Sequence, residues 1–176
     1  MKPVPVCMET DVPSDELIVS HTNLYGIITY ANEAFAEISG YDADDLIGQP
    51  HNIVRHPDMP SSVFSALWET LKNENSWSGY IKNLRQDGGF YWVHAQVSRL
   101  FDKNGTLIGY KSLRSAVEKQ KRHELERYYA LLKETEENKM KLCEWIDKEV
   151  YEQILRKSQT EHVSPGDVLK NVLIKS

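Results

Sequence analysis

Side chains with chemical potential are concentrated in residues 54–61, Val-Arg-His-Pro-Asp-Met-Pro-Ser. A cation, Arg55, an imidazole, His56, and a carboxylate, Asp58, lie within four positions of one another. Two prolines fix their own φ angles and disfavour helical geometry in the residues before them, so we predict a stiff loop. A guanidinium binds a phosphate or carbonyl edge through paired hydrogen bonds, while imidazole and carboxylate groups orient a ligand. We therefore expect this loop to contact a polar, partly anionic ligand.

The composition excludes several classes of protein. The 176 residues carry a formal net charge of -5 with no dense basic patch, which argues against nucleic-acid binding. No apolar run approaches the ~20 residues that span a bilayer, and the first residues lack the apolar core of a signal peptide, so we expect a cytosolic protein without direct membrane insertion. Cys7 and Cys143 are isolated in the sequence, which indicates neither a disulfide framework nor a zinc cluster.

Catalysis has little support in the sequence. There is no glycine-rich phosphate loop, no Gly-x-Ser-x-Gly nucleophile motif and no kinase or cyclase segment. We therefore predict a protein that is not an enzyme.

The elements that must position the loop begin with two short β-rich runs, residues 17–22 and 26–30, which predict an antiparallel hairpin. A short amphipathic helix should follow Asn32 and end at Gly40. Residues 42–48 predict a second small helix, capped by Asp42 and closed by Gly48.

Beyond the proline-rich loop, Ser61 or Ser62 should cap a longer helix with Phe64 and Trp68 on its apolar face. Three strands, 77–84, 90–100 and 107–114, should then form a meander joined by two turn sequences. We predict an α+β fold in which a five-stranded antiparallel sheet and a helical cover enclose a ligand pocket.

The sequence changes character at Val117. Charged residues of both signs alternate through residue 157, which predicts a long helix or helical hairpin with a bend near residues 133–139. Apolar spacing breaks at Glu136 and Lys139, so a sustained coiled coil is not expected. Ser164 and Pro165 give a second helix start signal. We divide the chain into a lead or cap (1–14), a sensor domain (15–116) and a C-terminal helical extension (117–176).

The order of these elements and several motifs resemble a PAS domain. The motifs are Tyr-Ala-Asn-Glu-Ala-Phe at 30–35, Ile-Ser-Gly-Tyr at 38–41 and Leu-Ile-Gly-Gln-Pro at 46–50. The run 51–60, the Trp-Ser-Gly at 77–79, the Lys-Asn at 82–83 and the Tyr-Trp-Val at 91–93 are similar to the flavin-binding PAS domain of the aerotaxis receptor (Aer) type. Because a helical tail follows, the chain is most similar to stand-alone CetB-like energy-taxis proteins.

This resemblance implies a cytoplasmic redox or energy sensor that holds FAD without a covalent bond. It further implies signalling to the linker or HAMP-like region of a membrane chemoreceptor, recruitment to the inner membrane face through that receptor, and a homodimer. Residues 117–157 are the candidate dimerisation or docking surface. The cofactor-binding residues implied by the resemblance are Asn32, Arg55, His56, Asp58, Phe64, Trp68, Trp77, Asn83 and Trp92.

Part of this assignment has a physical basis. The amide of Asn83 offers both donors and an acceptor to the alternating pyrimidine edge of flavin. Aromatic rings offer a stacking face and an apolar wall. A cation near the ring stabilises a reduced, anionic form, and Arg55 is the candidate from sequence.

Structural roles compete with the binding roles. Asn32 is also a predicted N-cap, Asp58 is also a helix cap or an ion-pair partner of Arg55, and the aromatic residues also suit a core. If Asn83 faces water, it carries no functional information. The pattern over residues 117–157 is equally well explained by a helix that packs on its own sheet and has no docking role.

Other ligands remain open alternatives. His51, His56 and Asp58 suit a metal, and His51, His56 or His94 suit haem, although the histidines lack a further clustered donor. A light-sensing flavin domain of the LOV type requires a cysteine beside the flavin, and neither cysteine falls there. A cofactor-free PAS dimerisation or docking module, with side chains filling the pocket, is the principal rival.

Overall fold

The computed structural model describes residues 2–145, 156–157 and 160. It confirms the α+β fold with one five-stranded antiparallel sheet. The strands are β1 (Ile18–Asn23), β2 (Ile28–Ala31), β3 (Ser76–Leu84), β4 (Phe90–Phe101) and β5 (Leu107–Ala116), in the spatial order β2-β1-β5-β4-β3. The helices are α1 (Glu33–Ser39), α2 (Ala43–Leu46), α3 (Ser61–Asn73) and α4 (Lys119–Trp145), with a 3₁₀ turn at His51–Val54.

The chain divides into two compact units, residues 1–133 and 134–176. The sheet, the cavity described below and every contact discussed here belong to the first unit. The predicted start signal at Ser164 and Pro165 lies outside the described residues.

Alternation along the strands separates the two faces of the sheet. Ile81 and Asn83 of β3 lie on the face toward α1 and α3, while Tyr80 and Lys82 lie on the opposite face, toward the first half of α4. In the register of β3 with β4, Trp92 is opposite Lys82 and therefore shares its face. The sheet is thus covered on both sides, which is consistent with the buried centre of β4.

Helix α4 packs on the outer face of the sheet. Leu125 and Tyr129 are buried, the Tyr129 hydroxyl donates to the Tyr80 carbonyl at 2.7 Å, and the Tyr129 ring lies 5.7 Å from that of Trp92. The expectation of a helix packed back on its own sheet is therefore confirmed for this part of α4. Helical structure continues from Lys119 to Trp145, so the bend predicted near residues 133–139 is not seen as a break in the helix.

The N-terminal segment follows the turn between β3 and β4. The Val6 amide donates to the Gly88 carbonyl at 2.9 Å, and Thr10 and Met8 exchange hydrogen bonds with Phe90 at 2.8 and 2.9 Å. Arg122 of α4 contacts the carboxylates of Glu9 and Asp11, at 2.6 and 2.7 Å. Hydrogen bonds to residues 88–90 and ion pairs with Arg122 therefore hold residues 6–11 against the domain.

The predicted ends of two helices need correction. Asp42 occupies the N-cap position of α2 but makes no side-chain capping hydrogen bond, and α2 ends at Leu46, before Gly48. Helix α3 begins at Ser61, and Pro60, not a serine, occupies its N-cap position, with no side-chain capping bond. The residues that lead into the proline-rich loop form a 3₁₀ turn, in which the Ile53 amide bonds to the Pro50 carbonyl.

Candidate functional site

A cavity of about 340 Å³ lies between the inner face of the sheet and helix α3 with the 3₁₀ turn. This volume falls in the lower part of the range of small-molecule sites, roughly 300–1,000 Å³. Its walls are mainly apolar with a few polar groups. The lining residues are Ser20, Thr22, Tyr25, Gly26, Pro50, His51, Asn52, Val54, Arg55, Phe64, Leu67, Trp68, Ile81, Asn83, Val97, Tyr110, Ser112 and Arg114.

Four of the nine predicted site residues line this cavity: Arg55, Phe64, Trp68 and Asn83. A β-bridge joins Arg55 to Asn83, which brings the loop and strand β3 together. The Arg55 guanidinium lies 4.2 Å above the Phe64 ring and donates to the Met59 carbonyl at 3.3 Å. The Trp68 ring meets Tyr110 edge-on at 5.1 Å.

Asn32 does not line the cavity. Its side-chain oxygen accepts hydrogen bonds from the amides of Phe35 (3.1 Å) and Val19 (2.9 Å), and its nitrogen donates to the Leu17 carbonyl at 2.8 Å. Each bond is to protein backbone. The structure therefore shows the capping role that was one of the two roles considered from the sequence. Asn32 also joins the cap to the start of β1 through Leu17 and Val19.

His56 and Asp58 lie on the outer side of the sheet edge, away from the cavity lining. Asp58 pairs with Lys82 of β3 at 3.0 Å, not with Arg55, and its carboxylate is 3.4 Å from His56 Nδ1. Lys82 also pairs with Glu126 of α4 at 2.7 Å. Burial, followed by the positive charge of Lys82, lowers the pKa of His56 to about 4, so the ring is neutral near pH 7.

Trp77 and Trp92 support the fold around the cavity without lining it. Trp77 lies on the cavity side of β3 and packs across Gly79, whose missing side chain leaves room for the ring. Trp92 is buried on the outer face against Tyr129. The two tryptophans therefore position β3 and α4, respectively.

The polar centre of the cavity is a cluster that sequence reasoning did not assemble: Ser20, His51 and Arg114. One Arg114 nitrogen, Nη2, donates to His51 Nε2 at 2.7 Å and to Ser20 Oγ at 2.9 Å. His51 Nε2 must then be unprotonated, so the ring is neutral. Burial and the charge of Arg114 lower the pKa of His51 to about 3, which agrees with that state.

Arg114 is a buried cation without a counter-ion. Its residue is 3% exposed, and within residues 2–138, whose side chains the structure describes, it forms no ion pair. Its other terminal nitrogen, Nη1, is buried and has no hydrogen-bond partner in that same range. A buried donor without a partner costs about 1–3 kcal/mol, and more when charged. The cavity wall therefore contains a buried positive charge that no carboxylate of the described residues neutralises.

Tyr91 lies beside this cluster. Its hydroxyl is buried and makes no hydrogen bond of good geometry with the residues described around it. Burial raises the pKa of Tyr91, while Arg114 and then Asn83 oppose the rise. The inner face of the sheet thus holds two buried polar groups, the Tyr91 hydroxyl beside Asn83 and the Arg114 guanidinium.

Of the three histidines considered as haem or metal ligands, only His51 lines the cavity, and its Nε2 is engaged by Arg114. His56 and His94 lie on the outer side, where His94 Nε2 is 2.8 Å from Ser78 Oγ. The described residues contain no group of three or more metal-ligating side chains. Cys7 is exposed in the N-terminal segment and is absent from the cavity lining.

The missed residues had a weak sequence signal. Ser20 and Thr22 alternate along β1, and Tyr110, Ser112 and Arg114 alternate along β5, so each set lies on one face of its strand. These faces become one wall because β1 pairs directly with β5, with Ser20 opposite Ser112. That pairing joins strands about ninety positions apart in the chain.

Residues 28–114 match the family model described as PAS fold. The chain contains a PAS domain. Over 106 residues it is 44% identical to the aerotaxis receptor of Escherichia coli K12, covering 60% of this chain and 21% of the receptor. It is 29% identical over 104 residues to the nitrogen fixation regulatory protein of Klebsiella pneumoniae, covering 59% of this chain and 21% of that protein. The chain thus spans about a fifth of the length of these curated relatives.

The solved structures agree on the fold. The PAS domain of a Colwellia psychrerythraea protein superposes with a TM-score of 0.53 at 24% identity, covering 57% of this chain and 86% of that domain. The PAS domain is accordingly a sensor domain related to the aerotaxis receptor and to other PAS signalling proteins. No helix within the described residues is both long and apolar enough to cross a membrane.

Proposed function

We propose that the protein is a non-catalytic FAD-binding redox sensor that passes its signal to a membrane chemoreceptor. The observation that carries the cofactor assignment is the cavity whose lining includes Arg114, a buried cation without an ion-pair partner among the described residues. Relatedness to the aerotaxis receptor supports the signalling assignment. The resemblance of residues 51–60, 77–79, 82–83 and 91–93 to the flavin-binding PAS domains of the aerotaxis-receptor type adds to both.

The residues of the cavity fit a flavin. Phe64, Leu67, Trp68 and Val97 provide apolar and aromatic walls for a planar ring. Asn83 provides an amide, and Arg114 provides a positive charge, which together suit a ring edge rich in carbonyl oxygens and nitrogens. A cofactor-free module with a pocket filled by side chains fits less well, because the cavity is open.

When bound, flavin supplies reversible electron transfer, and the protein adjusts its potential through hydrogen bonds and charge near the ring. Two arginines line the cavity, and their positive charges could adjust the flavin potential. Arg55, the residue expected from sequence, stacks on Phe64 and bonds to Met59, while Arg114 is more deeply buried, at 3% exposed, and forms no ion pair within residues 2–138. Arg114 is therefore the stronger source of positive charge toward the ring, and the neutral His51 holds it in place without cancelling that charge.

The sheet offers a short path from the cavity to its outer face. Arg55 and Asn83 face the cavity, and their chain neighbours His56 and Lys82 face outward. Lys82 contacts Glu126 of α4 directly, and Lys133 of α4 donates to the Pro57 carbonyl at 2.5 Å. A displacement of the Arg55–Asn83 bridge would therefore change the contacts of α4, which is the differential interaction that a switch requires.

The receptor contact is assigned to the outer sheet surface and α4. Tyr128 and Leu131 of α4 are 56% and 63% exposed, which leaves apolar area for a chemoreceptor linker or a second copy of the chain. Localisation at the inner membrane face through the receptor, and homodimer formation, are parts of this proposal.

The cofactor proposal is tested by purifying the protein, recording its visible absorption spectrum and identifying the ligand released by heat with mass spectrometry. A flavin spectrum with released FAD is the expected result. A Soret band would replace flavin with haem, and a colourless protein that takes up neither cofactor would favour the docking module.

The partner proposal is tested with a purified chemoreceptor in vesicles, with its linker region intact or deleted. Co-sedimentation that depends on the linker is expected, and it should differ between the oxidised and the dithionite-reduced protein. Equal sedimentation with both receptor forms would refute the receptor assignment without affecting the cofactor result.

A further inference from the structure

Asn83 and Tyr91 form a cross-strand pair on the inner face of the sheet. They are opposite each other in the register of β3 with β4, and residues directly opposite on antiparallel strands lie on the same face. Asn83 is 3% exposed and lines the cavity, whereas Tyr91 is fully buried and is absent from the cavity lining. The Tyr91 side chain therefore lies beside the Asn83 amide but behind the cavity wall.

The Tyr91 ring is held in place by the apolar core. It belongs to the same buried cluster as Phe35 and Ile38, and it has no exposed surface. A close-packed core keeps a side chain in one rotamer, so only the hydroxyl proton of such a tyrosine is free to turn. The hydroxyl oxygen is therefore fixed at one point of the inner face.

The backbone of Asn83 does not by itself determine which end of its amide faces the cavity. Pairing with β4 and the bridge to Arg55 fix that backbone. The χ2 angle of asparagine is broad and roughly two-fold, since the amide oxygen and nitrogen have similar sizes. Hydrogen bonds to neighbouring groups therefore decide whether the oxygen or the nitrogen points at a ligand.

The pKa of Tyr91 indicates which end of the amide its hydroxyl favours. Burial raises this pKa, the positive charge of Arg114 lowers it, and a hydrogen-bonding contact with Asn83 lowers it further. A neighbour lowers the pKa of a phenol when it stabilises the anionic oxygen, which an N–H group does and a carbonyl does not. The nitrogen end of the amide is thus the end that suits Tyr91.

The burial of the Tyr91 hydroxyl favours the same pairing. Within the part of the chain that the structure describes, this hydroxyl makes no hydrogen bond of good geometry. A buried hydroxyl without a partner is costly, so an adjacent amide that is able to turn toward it lowers the free energy of the folded protein.

We propose that Tyr91 is a positioning residue for the flavin. Its hydroxyl oxygen accepts a hydrogen bond from one N–H of the Asn83 amide, after a rotation of that amide about χ2. The amide oxygen and the second N–H then face the cavity, where they match an N–H and a neighbouring carbonyl of the flavin pyrimidine edge. Tyr91 acts through Asn83 and does not touch the flavin. This inference rests on the flavin site proposed above.

Tyr91→Phe tests the proposal, because it keeps the ring and removes only the hydroxyl. The variant should be at least as stable as the wild type in urea, since the lost hydroxyl has no hydrogen bond of good geometry. The affinity of its apoprotein for FAD, measured by quenching of flavin fluorescence, should fall roughly two- to tenfold, the scale of one hydrogen bond. The carbonyl stretching band of bound flavin should move to higher frequency in infrared difference spectra, because the bond from Asn83 weakens.

A double-mutant cycle with Asn83→Ala shows whether the effect passes through Asn83. In the Asn83→Ala background, Tyr91→Phe should cause no further loss of affinity, because the amide that it orients is gone. Tyr129→Phe is the matched control, since it removes the hydroxyl of a buried tyrosine on the outer face, where it donates to the Tyr80 carbonyl. This control should leave the FAD affinity and the carbonyl band unchanged.

The orientation of the amide is also measurable without a variant. In the FAD-bound wild type labelled with ¹⁵N, an NMR cross-peak is expected between a side-chain amide proton of Asn83 and the ring protons of Tyr91 next to its hydroxyl. Absence of that cross-peak would overturn the proposal, because the amide nitrogen would then point away from Tyr91.

The outcomes separate this inference from the cofactor proposal. An unchanged FAD affinity and carbonyl band in Tyr91→Phe would overturn the positioning role and leave the flavin cavity standing. An equal loss of affinity in the wild-type and Asn83→Ala backgrounds would also overturn it, because the effect would then not depend on Asn83. A wild-type protein that takes up no flavin would overturn both proposals.

Discussion

The ammonium of Lys82 lies 2.7 Å from the carboxylate of Glu126, which joins the strand that lines the cavity to the helix on the opposite face of the sheet. The Lys82 side chain is 5% exposed, whereas Glu126 is about half exposed. The same ammonium contacts Asp58 at 3.0 Å and lies 4.3 Å from the centre of the Phe90 ring. One cation therefore holds the proline-rich loop, β3 and α4 together, one residue from Asn83.

Replacing Glu126 with Gln should loosen α4 from the sheet. Because Glu126 is half exposed and solvent screens the pair, we expect a loss of only about 1 kcal/mol in unfolding free energy. Amide hydrogen exchange should quicken in residues 119–133. Glu124→Gln is the matched control, since among the described residues Glu124 pairs with Lys121 alone, on the helix surface. Unchanged hydrogen exchange in Glu126→Gln would show that the Lys82–Glu126 pair does not hold α4 to β3.

The neutral His51 predicts an acid-sensitive fold. Its pKa is about 3 in the folded protein, and the ordinary value is 6.5, so below pH 6.5 the unfolded chain binds a proton that the folded protein does not. Stability is therefore full above about pH 6.5 and is lost as the pH falls toward 3, with a loss of about 2 kcal/mol at pH 5. His56, with a pKa of about 4, acts in the same direction.

Urea unfolding at pH 7.5 and pH 5 measures this dependence. His51→Gln should reduce the difference between the two pH values, whereas the exposed His123→Gln should leave it unchanged. A wild-type stability that is equal at the two pH values would show that His51 titrates normally in the folded protein.

Asn32 and Asp42 form a matched pair of cap positions. Asn32 makes hydrogen bonds to three backbone groups, while Asp42 makes no side-chain capping bond. Asn32→Ala should lower the unfolding free energy by about 1–2 kcal/mol, and Asp42→Ala should change it little. Calorimetry on the two variants checks this. A large loss of bound flavin in Asn32→Ala at unchanged stability would restore the ligand-binding role expected from sequence.

Arg55→Ala and Asn83→Ala should reduce bound flavin, because both residues line the cavity and the bridge between them shapes it. Loss of a hydrogen bond to a polar ligand corresponds to roughly tenfold in affinity. His123→Ala, in the exposed part of α4, serves as the comparison. The measurement is the flavin-to-protein ratio after gel filtration. Equal ratios in all three variants would exclude Arg55 and Asn83 from the site.

Arg114→Gln should lower the midpoint potential of bound flavin, since a buried positive charge favours the reduced, more negative ring. For a one-electron step, each tenfold change in the relative affinity for the two oxidation states corresponds to about 59 mV. Lys111→Gln removes a charge from the same strand outside the cavity lining and should leave the potential unchanged. Equal midpoint potentials in the wild type and Arg114→Gln would show that Arg114 is not the residue whose positive charge raises the flavin potential.

Local patterns in the sequence predicted most of the elements. The alternation in β1, the turn residues between β3, β4 and β5 and the glycine at the end of α1 act over a few positions, so they are readable without the fold. Gly40, for example, has a φ of 75° and closes α1 as expected. The same patterns placed Asp42 at a cap position correctly but could not show that its side chain makes no capping bond.

The sequence predicted only part of the candidate site, because local patterns extend over only a few positions. Arg55 and Asn83 were predicted because each lies in a distinctive local motif. In the structure both line the cavity, where a β-bridge joins them. Asp58 was assigned to the same site, yet alternation along the loop turns it outward, where it meets Lys82.

What the sequence alone determined is the set of strands and helices, the stiff loop and the family resemblance, because these depend on neighbouring residues. Only the tertiary structure decided which polar groups meet. Ser20, His51 and Arg114 are separated by more than thirty positions from one another, and they touch because β1 pairs with β5 and the 3₁₀ turn closes over both. The burial of a guanidinium without a carboxylate partner among the described residues follows from that packing, since a local sequence pattern does not show which distant charges lie nearby.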